Sequence, residues 1–219
     1  MSNKAVLLIN LGSPDSTDVS DVRTYLREFL SDPRVLDIPT PLRKAILNLF
    51  ILPFRPRESA EAYEKIWTEE GSPLIHLTYR VAELLAERID MPVEVGMRYG
   101  NPSTRSALQR LHNRGIEEAF VIPMYPHYAM SSYETAVAKA KDELADLPFE
   151  MDLTFQPPFY DDPDYIDALV TSAEPYLEDD YDHVLFSYHG VPERHIEKGD
   201  PSGCYCLQSE DCCVKQNPV

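Results

Sequence analysis

Basic side chains are scarce in this sequence. Its 219 residues include 20 lysines and arginines against 37 aspartates and glutamates, which gives a formal net charge of -17. Proteins bind nucleic acid largely by neutralising phosphates with lysine and arginine, so this balance argues against a nucleic-acid partner. It argues equally against electrostatic docking on anionic lipid, and any membrane contact would have to use apolar side chains.

Long hydrophobic runs are also missing. The longest, residues 45–54, is interrupted by Asn48 and Pro53 and falls short of the roughly 20 residues that a membrane-spanning helix needs. No basic segment precedes the first apolar run, so we expect no signal peptide and a cytoplasmic chain. Neither a solenoid repeat nor a GxGxxG motif occurs, which leaves a dinucleotide site without support.

Short apolar runs alternate with helical patterns. Residues 5–11 (AVLLINL) form a continuous apolar run that ends at Gly12-Ser13-Pro14, which is typical of a strand buried on both faces of a parallel sheet. Further strands are predicted at residues 93–97, 119–124 and 151–155, and helices at residues 18–30, 77–89, 105–114 and 133–144. This alternation predicts an α/β fold with a doubly wound, Rossmann-like parallel sheet.

The pattern restarts near residue 161. A helix is predicted over residues 165–177 and a buried strand over residues 183–187 (HVLFS). We therefore expect one α/β domain over residues 1–160. Residues 161–219 are expected to begin a second α/β domain whose parallel sheet is incomplete in this chain.

The residues that follow the predicted strands would line a ligand crevice, since ligands of open α/β sheets lie beyond the carboxyl ends of the strands. They include Arg98, Tyr99, Tyr125, His127, Tyr128, Tyr188 and His189. Tyrosine faces and a fixed cation suit a planar, largely apolar ligand with acidic groups. A histidine at such a place accepts protons or ligates a metal, although taken singly it is more often a hydrogen-bonded loop residue. Arg98 taken singly would more often form a structural ion pair.

Six collinear segments resemble the ferrochelatase family. They are LLINLGSP (7–14), YLREFLSDPRV (25–35), GSPL (71–74), GMRYGNPS (96–103), PMYPHYA (123–129) and FSYHGVPERH (186–195), which leads to GDP (199–201). Any one of them could arise by chance, but six in this order are specific. The resemblance implies two chelatase-type α/β domains and a lyase of haem biosynthesis. Such an enzyme inserts ferrous iron into a porphyrin, either protoporphyrin IX or coproporphyrin III.

The resemblance also implies roles for individual residues. His189 corresponds to the active-site histidine of the family, which accepts pyrrole protons or binds the incoming iron. Metalation removes N–H protons from the macrocycle, and an imidazole is suited to accept them near neutral pH. The residues that would line the porphyrin crevice or contact the porphyrin propionates are Leu11, Tyr63, Arg98, Tyr99, Tyr125 and Tyr128.

Residues 36–56 resemble the mobile lip over the pocket mouth, which in membrane-associated relatives also touches the bilayer. The resemblance therefore allows a peripheral membrane contact through this lip. The alternative interpretation is an amphipathic helix packed on the domain.

The chain departs from the family in two places. The second catalytic group of the family is a carboxylate on a later segment, and the chain ends at Val219 before any such segment. We therefore expect the chain to be C-terminally truncated, with uncovered sheet edges and apolar surface that leave it inactive and poorly soluble by itself. The second departure is a cysteine-rich insertion at residues 203–213.

All four cysteines lie in this insertion, as Cys204, Cys206, Cys212 and Cys213. In a chain of cytosolic character, such crowding favours metal ligation over disulfides. The insertion resembles that of bacterial ferrochelatases which bind a [2Fe–2S] cluster. Zinc and free thiols are the alternatives, because soft sulfur ligands do not by themselves choose between iron and zinc. A later segment could also supply one ligand in place of Cys204.

Two other functions stay open. One is a non-catalytic α/β protein that holds haem or another tetrapyrrole, and the other is a cobalt chelatase. The lip-like stretch and the Ser-Tyr-His-Gly loop at residues 187–190 argue against the cobalt enzyme.

Overall fold

The computed structural model describes residues 3–178 and 181–212, which form two compact units. The first unit takes in the described residues up to Tyr125 together with Ser131–Pro157. The second takes in Pro126–Met130 and the described residues from Pro158 onward. The loop that follows the third strand therefore belongs to the second unit, which the sequence did not indicate.

A parallel sheet forms the centre of the first unit. Its strands lie in the order β2-β1-β3-β4, and all neighbours run parallel. The strands are β1 (Lys4–Asn10), β2 (Val93–Met97), β3 (Glu118–Pro123) and β4 (Asp152–Phe155). The helices around them are α1 (Val19–Ser31), α2 (Thr40–Ile46), α3 (Leu52–Glu64), α4 (Pro73–Ala86), α5 (Thr104–Asn113) and α6 (Thr135–Ala145). The predicted α/β class with a parallel sheet is confirmed.

The central strand β1 is apolar without alternation because both of its faces are covered. Ala5, Leu7 and Ile9 belong to a core that α5 and α6 complete. Val6 and Leu8 belong to a second core, to which α4 contributes. Each of these five side chains is at most 4% exposed. Helices on both faces of a parallel sheet require such a strand.

The predicted lip, residues 36–56, is largely helical. Helix α2 continues through a π-helical turn (Leu47–Ile51) into α3. One side is anchored, since Leu47 and Leu52 are buried and the Arg43 guanidinium donates to the carbonyl oxygen of Ile38 at 3.0 Å. The other side exposes the apolar side chains of Leu42, Leu49, Phe50 and Phe54. The segment is therefore an amphipathic helical pair that packs on the unit and leaves one apolar face uncovered.

The regular secondary structure described in the second unit is helical. Its described elements are α7 (Pro163–Ala173), a 3₁₀ turn (Glu174–Tyr176) and α8 (Glu193–Gly199). Helix α7 begins at Asp162, whose carboxylate accepts a hydrogen bond from the backbone N–H of Asp164 at 2.9 Å, as a helix N-cap does. Across residues 3–178 and 181–212, no helix combines the length and the apolar character needed to cross a membrane.

The strand predicted at residues 183–187 does not form, and that prediction is wrong for this structure. Leu185 and Phe186 are 90% and 75% exposed, and the segment has no regular secondary structure. An apolar run becomes a strand only when a neighbouring strand accepts and donates its backbone hydrogen bonds. The described residues of this unit contain no strand that could do so.

Candidate functional site

The carboxyl ends of β1 and β3 flank the point where the strand order of the sheet reverses. The chain passes from β1 to β2 on one side and later adds β3 on the other. Ligands of open α/β sheets bind at this point. Leu11 follows β1 and is half-buried, and Tyr125 follows β3. The loop after β2 is aligned with them because the backbone N–H of Tyr99 donates to the carbonyl oxygen of Leu11 at 2.9 Å.

Gly12 allows the loops after β1 and β2 to touch. Its φ is +99°, and an added Cβ would lie 1.8 Å from the backbone carbonyl oxygen of Tyr99. Likewise, a Cβ added to Gly100 in the loop after β2 would lie 2.8 Å from the carbonyl oxygen of Ser13 in the loop after β1. The Gly-Ser-Pro sequence that ends the first strand is therefore part of a tight contact between two loops.

Arg98 is held by a buried carboxylate that the sequence did not reveal. The Asp32 carboxylate has a side chain that is 2% exposed and accepts hydrogen bonds from Arg98 Nη2 and the Thr135 hydroxyl. It also accepts from the Tyr99 hydroxyl and from the backbone N–H of Arg34, each at 2.8 Å. Arg98 Nε in turn donates to Thr135 Oγ1 at 2.6 Å. The end of α1 and the start of α6 are thereby tied to the loop after β2.

These contacts fix the charges of the network. Burial raises the pKa of a carboxyl group, but hydrogen bonds from Thr135, from the Arg34 backbone and from Tyr99, together with the nearby guanidinium, leave the pKa of Asp32 below its usual value. Burial raises the pKa of the Tyr99 phenol, so this group remains a neutral donor at neutral pH. The network is therefore an ionised carboxylate paired with a guanidinium and supported by two hydroxyl groups.

An aromatic cluster adjoins this network. Tyr25 and Phe29 on α1 meet the ring of Tyr99 edge-on, with centroids 6.5 and 5.1 Å away. Tyr63 on α3 meets Tyr25 edge-on at 6.4 Å. Tyr63 is half-buried, whereas Tyr99 has no exposed surface. Among the predicted pocket residues, the structure thus brings Tyr63 and Tyr99 into one cluster beside Arg98, with Tyr99 behind the surface.

The hydroxyl of Tyr125 is unusual because it is buried without a hydrogen-bond partner among the described residues. The ring packs against the core formed by β1, β3, α5 and α6. Burial raises the pKa of this phenol, so the group stays protonated. A buried hydroxyl without a partner destabilises the folded state until a water molecule or a ligand supplies one. Tyr125 therefore offers one polar contact in otherwise apolar surroundings.

A polar cavity of about 270 Å³ opens beside Arg98 in the first unit. The residues that line it include Ser13, Asp21, Glu28, Arg98, Asn101 and Lys139. Glu28 already accepts a hydrogen bond from the backbone N–H of Gly100 at 3.0 Å. The cavity is smaller than the roughly 300–1,000 Å³ of common ligand pockets. It has room for a polar substituent but not for a whole macrocycle.

His189 lies in the second unit, in the irregular segment before α8, and its side chain is exposed. Its Nδ1 is 2.6 Å from the carbonyl oxygen of Gly190. This contact is a hydrogen bond when the proton sits on Nδ1. In that tautomer Nε2 keeps a lone pair, which can accept a proton or bind a metal ion.

The loop after β3 places two further predicted residues in the second unit. His127 stacks on Tyr160 with ring centroids 5.3 Å apart. Tyr128 is exposed and lies against Gly199, where an added Cβ would be 3.0 Å from Tyr128 Cε1. The structure therefore places Tyr128 with the unit that contains His189, and Arg98 with the first unit.

The cysteine-rich loop follows α8. Cys204, Cys206 and Cys212 form no disulfide bond with one another, and Cys213 lies outside the described residues. Asp200 organises the loop, since its carboxylate accepts from the backbone N–H of Cys206 at 2.9 Å. Burial raises the pKa of the Cys206 thiol, with Asp200 and Cys212 adding to the effect. Thiols at this spacing suit metal ligation, although no three His, Cys, Asp or Glu side chains converge on a metal site in the described part of the chain.

Sequence patterns did not indicate three buried polar side chains, two in the first unit and one in the second. Asp32 and Thr135 hold Arg98, and His195 is 3% exposed with no hydrogen-bond partner for either ring nitrogen among the described residues. Asp32 and His195 lie inside two of the segments quoted for the family resemblance. The Asp-Pro sequence at residue 32 signals the end of a helix, but nothing in it signals burial.

Comparison with known proteins covers almost the whole chain. The sequence model of the family described as Ferrochelatase matches residues 3–218. A ferrochelatase of Pseudomonas fluorescens (strain SBW25) is 48% identical over 97% of this chain and 62% of that protein. A ferrochelatase of Opitutus terrae is 49% identical over 100% of this chain and 64% of that protein. The chain thus spans less than two thirds of the length of these curated relatives.

Proposed function

Because the chain belongs to the ferrochelatase family, we propose that its protein is a lyase of haem biosynthesis that inserts ferrous iron into protoporphyrin IX or coproporphyrin III. The match of the family to residues 3–218 carries this proposal. Ferrous iron and the porphyrin are the substrates. Since the chain spans 62–64% of its relatives, the activity is assigned to the full-length protein.

The first unit binds the porphyrin at the carboxyl end of its sheet. Arg98 pairs with a propionate of the porphyrin, because guanidinium and carboxylate form strong charge-assisted hydrogen bonds. Leu11 and Tyr63 contribute apolar wall surface, and the hydroxyl of Tyr125 gains the hydrogen-bond partner that it lacks among the described residues. In the second unit, the exposed ring of Tyr128 contributes further wall surface.

His189 accepts pyrrole protons or binds the incoming iron. Each iron that enters the macrocycle displaces two pyrrole N–H protons, and Nε2 of His189 accepts one proton at a time when Nδ1–H is bonded to Gly190. Exposure of the side chain lets the imidazolium return its proton to water between the two transfers. The same lone pair can instead bind the incoming ferrous ion.

The cysteines bind a [2Fe–2S] cluster, with Cys204, Cys206, Cys212 and Cys213 as ligands. Support comes from the thiols of Cys204, Cys206 and Cys212, which lie on one short loop. When bound, such a cluster supplies a one-electron centre and joins the ends of its loop.

The helical lip provides a peripheral membrane contact for a protein that otherwise stays in the cytoplasm. Leu49, Phe50 and Phe54 are 65–73% exposed on one face of this segment. An exposed apolar helix face of this kind binds at the boundary between lipid headgroups and acyl chains. The acidic net charge of -17 leaves apolar burial as the driving force.

Metalation by the full-length protein tests the proposed function. We expect loss of the free-base porphyrin fluorescence when ferrous iron or zinc is added anaerobically, and no loss with the 219-residue chain alone. The chain alone is also expected to be poorly soluble, because apolar residues of its second unit such as Leu185 and Phe186 are exposed. Tight porphyrin binding without metalation by the full-length protein would instead support a tetrapyrrole-binding protein. Insertion of cobalt but not of iron would support a cobalt chelatase.

Removal of one thiol tests the cluster. Protein purified anaerobically is expected to contain iron and acid-labile sulfide in equal amounts, because the cluster has two of each. Cys206→Ser should lose both, since oxygen is a poor ligand for this cluster. Ser209→Ala in the same loop serves as control and should keep both, because its hydroxyl is bonded to Asp211 and not to a thiol. Zinc without iron, or no metal at all, would contradict the cluster.

A further inference from the structure

We propose that Asp32 is a positioning residue that orients Arg98 so that one edge of the guanidinium faces a carboxylate of the porphyrin. This inference rests on the proposed function and deepens it. Asp32 touches only protein groups and therefore acts through Arg98.

The guanidinium of Arg98 is restrained along one edge and on one face. Nη2 donates to Asp32, and Nε donates to Thr135 Oγ1 at 2.6 Å. The ring of Tyr99 lies beneath it, with Cζ 4.1 Å from the ring centroid. Two hydrogen bonds and a stacked face fix the plane of a rigid five-donor group. The outward end of the guanidinium remains for a further ligand.

That end carries Nη1. Among residues 3–178 and 181–212, no protein atom accepts a hydrogen bond from Nη1 of Arg98. The side chain of Arg98 is 12% exposed, which is enough to present part of the guanidinium to a ligand at the surface. A carboxylate approaching that part meets donors that are already oriented, so binding loses less side-chain entropy.

Asp32 can hold this orientation because its own position is fixed from several sides. The backbone N–H of Arg34 and the Tyr99 hydroxyl both donate to it. A second link runs beside it, since Arg34 Nε lies 3.0 Å from Glu134 Oε1 at the end of the π-helical turn (Met130–Glu134) that precedes Thr135. π-Helical turns shift the residues after them and are frequent at functional sites. Thr135, which begins α6 directly after this turn, contacts both Asp32 and Arg98.

The experiment compares a free-acid porphyrin with its methyl ester in the full-length protein. Wild-type protein should prefer the acid in KM for metalation and in Kd from porphyrin fluorescence. Asp32→Asn should reduce this preference by roughly tenfold or more, since hydrogen bonds to charged groups are of that strength. The kcat for the ester should change little, because the ester makes no ion pair with Arg98. Combined with Arg98→Met, the Asp32→Asn change should have no further effect on the preference.

A second variant and a control separate positioning from folding. Thr135→Val keeps the charges of the network and removes one hydroxyl, which accepts from Arg98 Nε and donates to Asp32, and it should reduce the preference in the same direction. Thr104→Val removes another fully buried hydroxyl, which donates to the carbonyl oxygen of Met97 at 2.8 Å, and it should leave the preference unchanged.

The outcomes distinguish the two proposals. A wild-type protein that neither binds nor metalates porphyrin overturns the proposed function and this inference together. A metalating wild-type protein with no preference for the acid, or Asp32→Asn and Thr135→Val variants that keep the full preference, overturn the inference alone.

Discussion

His189→Ala is expected to slow metalation by the full-length protein by about 10²–10⁴-fold, the usual contribution of a positioned proton-transfer group. The loss follows from removal of the Nε2 lone pair, which the contact between Nδ1 and Gly190 keeps available. Stopped-flow or steady-state porphyrin fluorescence with ferrous iron measures the rate. Porphyrin binding by the variant should stay within a few-fold of wild type, because Arg98 and the tyrosines are untouched.

His183→Ala is the matched control for that variant. His183 is also exposed and lies in the same irregular segment, six positions earlier in the chain. We expect its metalation rate to equal that of wild type. A normal rate in His189→Ala would remove this residue from the reaction, and an equal loss in both variants would indicate disruption of the segment.

Gly12→Ala is expected to lower the free energy of unfolding of the first unit by about 4 kcal/mol or more, the range of exceptional single substitutions. Two effects add together. The φ of +99° is unfavourable for a residue with a Cβ, and that Cβ would lie 1.8 Å from a backbone oxygen of Tyr99. Neither loop can move aside without breaking the hydrogen bond from Tyr99 N–H to Leu11. Chemical denaturation of the full-length protein measures the change.

Gly115→Ala separates the dihedral effect from the steric one. Gly115 also has a positive φ, +75°, but an added Cβ there would meet nothing within 4 Å. We expect a loss of only about 1 kcal/mol, the cost of a left-handed conformation for alanine. Similar losses in the two variants would contradict the close contact at Gly12.

The sheet could be predicted because its signals are local. Residues 5–9 are apolar without interruption, and burial of β1 on both faces produces that pattern. The other three strands, β2, β3 and β4, also contain apolar residues and are separated by helical patterns of ordinary length. Residues at strand ends, such as Leu11, Arg98 and Tyr125, could then be assigned to one edge without any knowledge of contacts.

The network around Arg98 could not be predicted because its members are distant in sequence. Asp32 and Thr135 are 103 positions apart, and neither has a neighbour in the chain that signals burial. The loop contact at Gly12 could not be predicted for a similar reason, since a Gly-Ser-Pro sequence indicates a turn but not which loop the turn contacts. The apolar run at residues 183–187 is typical of a strand. A strand forms only when a second strand pairs with it, and the local pattern does not show whether such a partner is present.

The strand order has a consequence for how the protein is made. β1 leaves the ribosome before both of its partners, and the later partner, β3, ends only at Pro123. At about 5–20 residues per second, translation leaves both edges of β1 unpaired for several seconds. During that interval the nascent chain exposes an unpaired apolar segment. We therefore expect the yield of folded protein in a cell to depend on chaperones that bind unfolded chains.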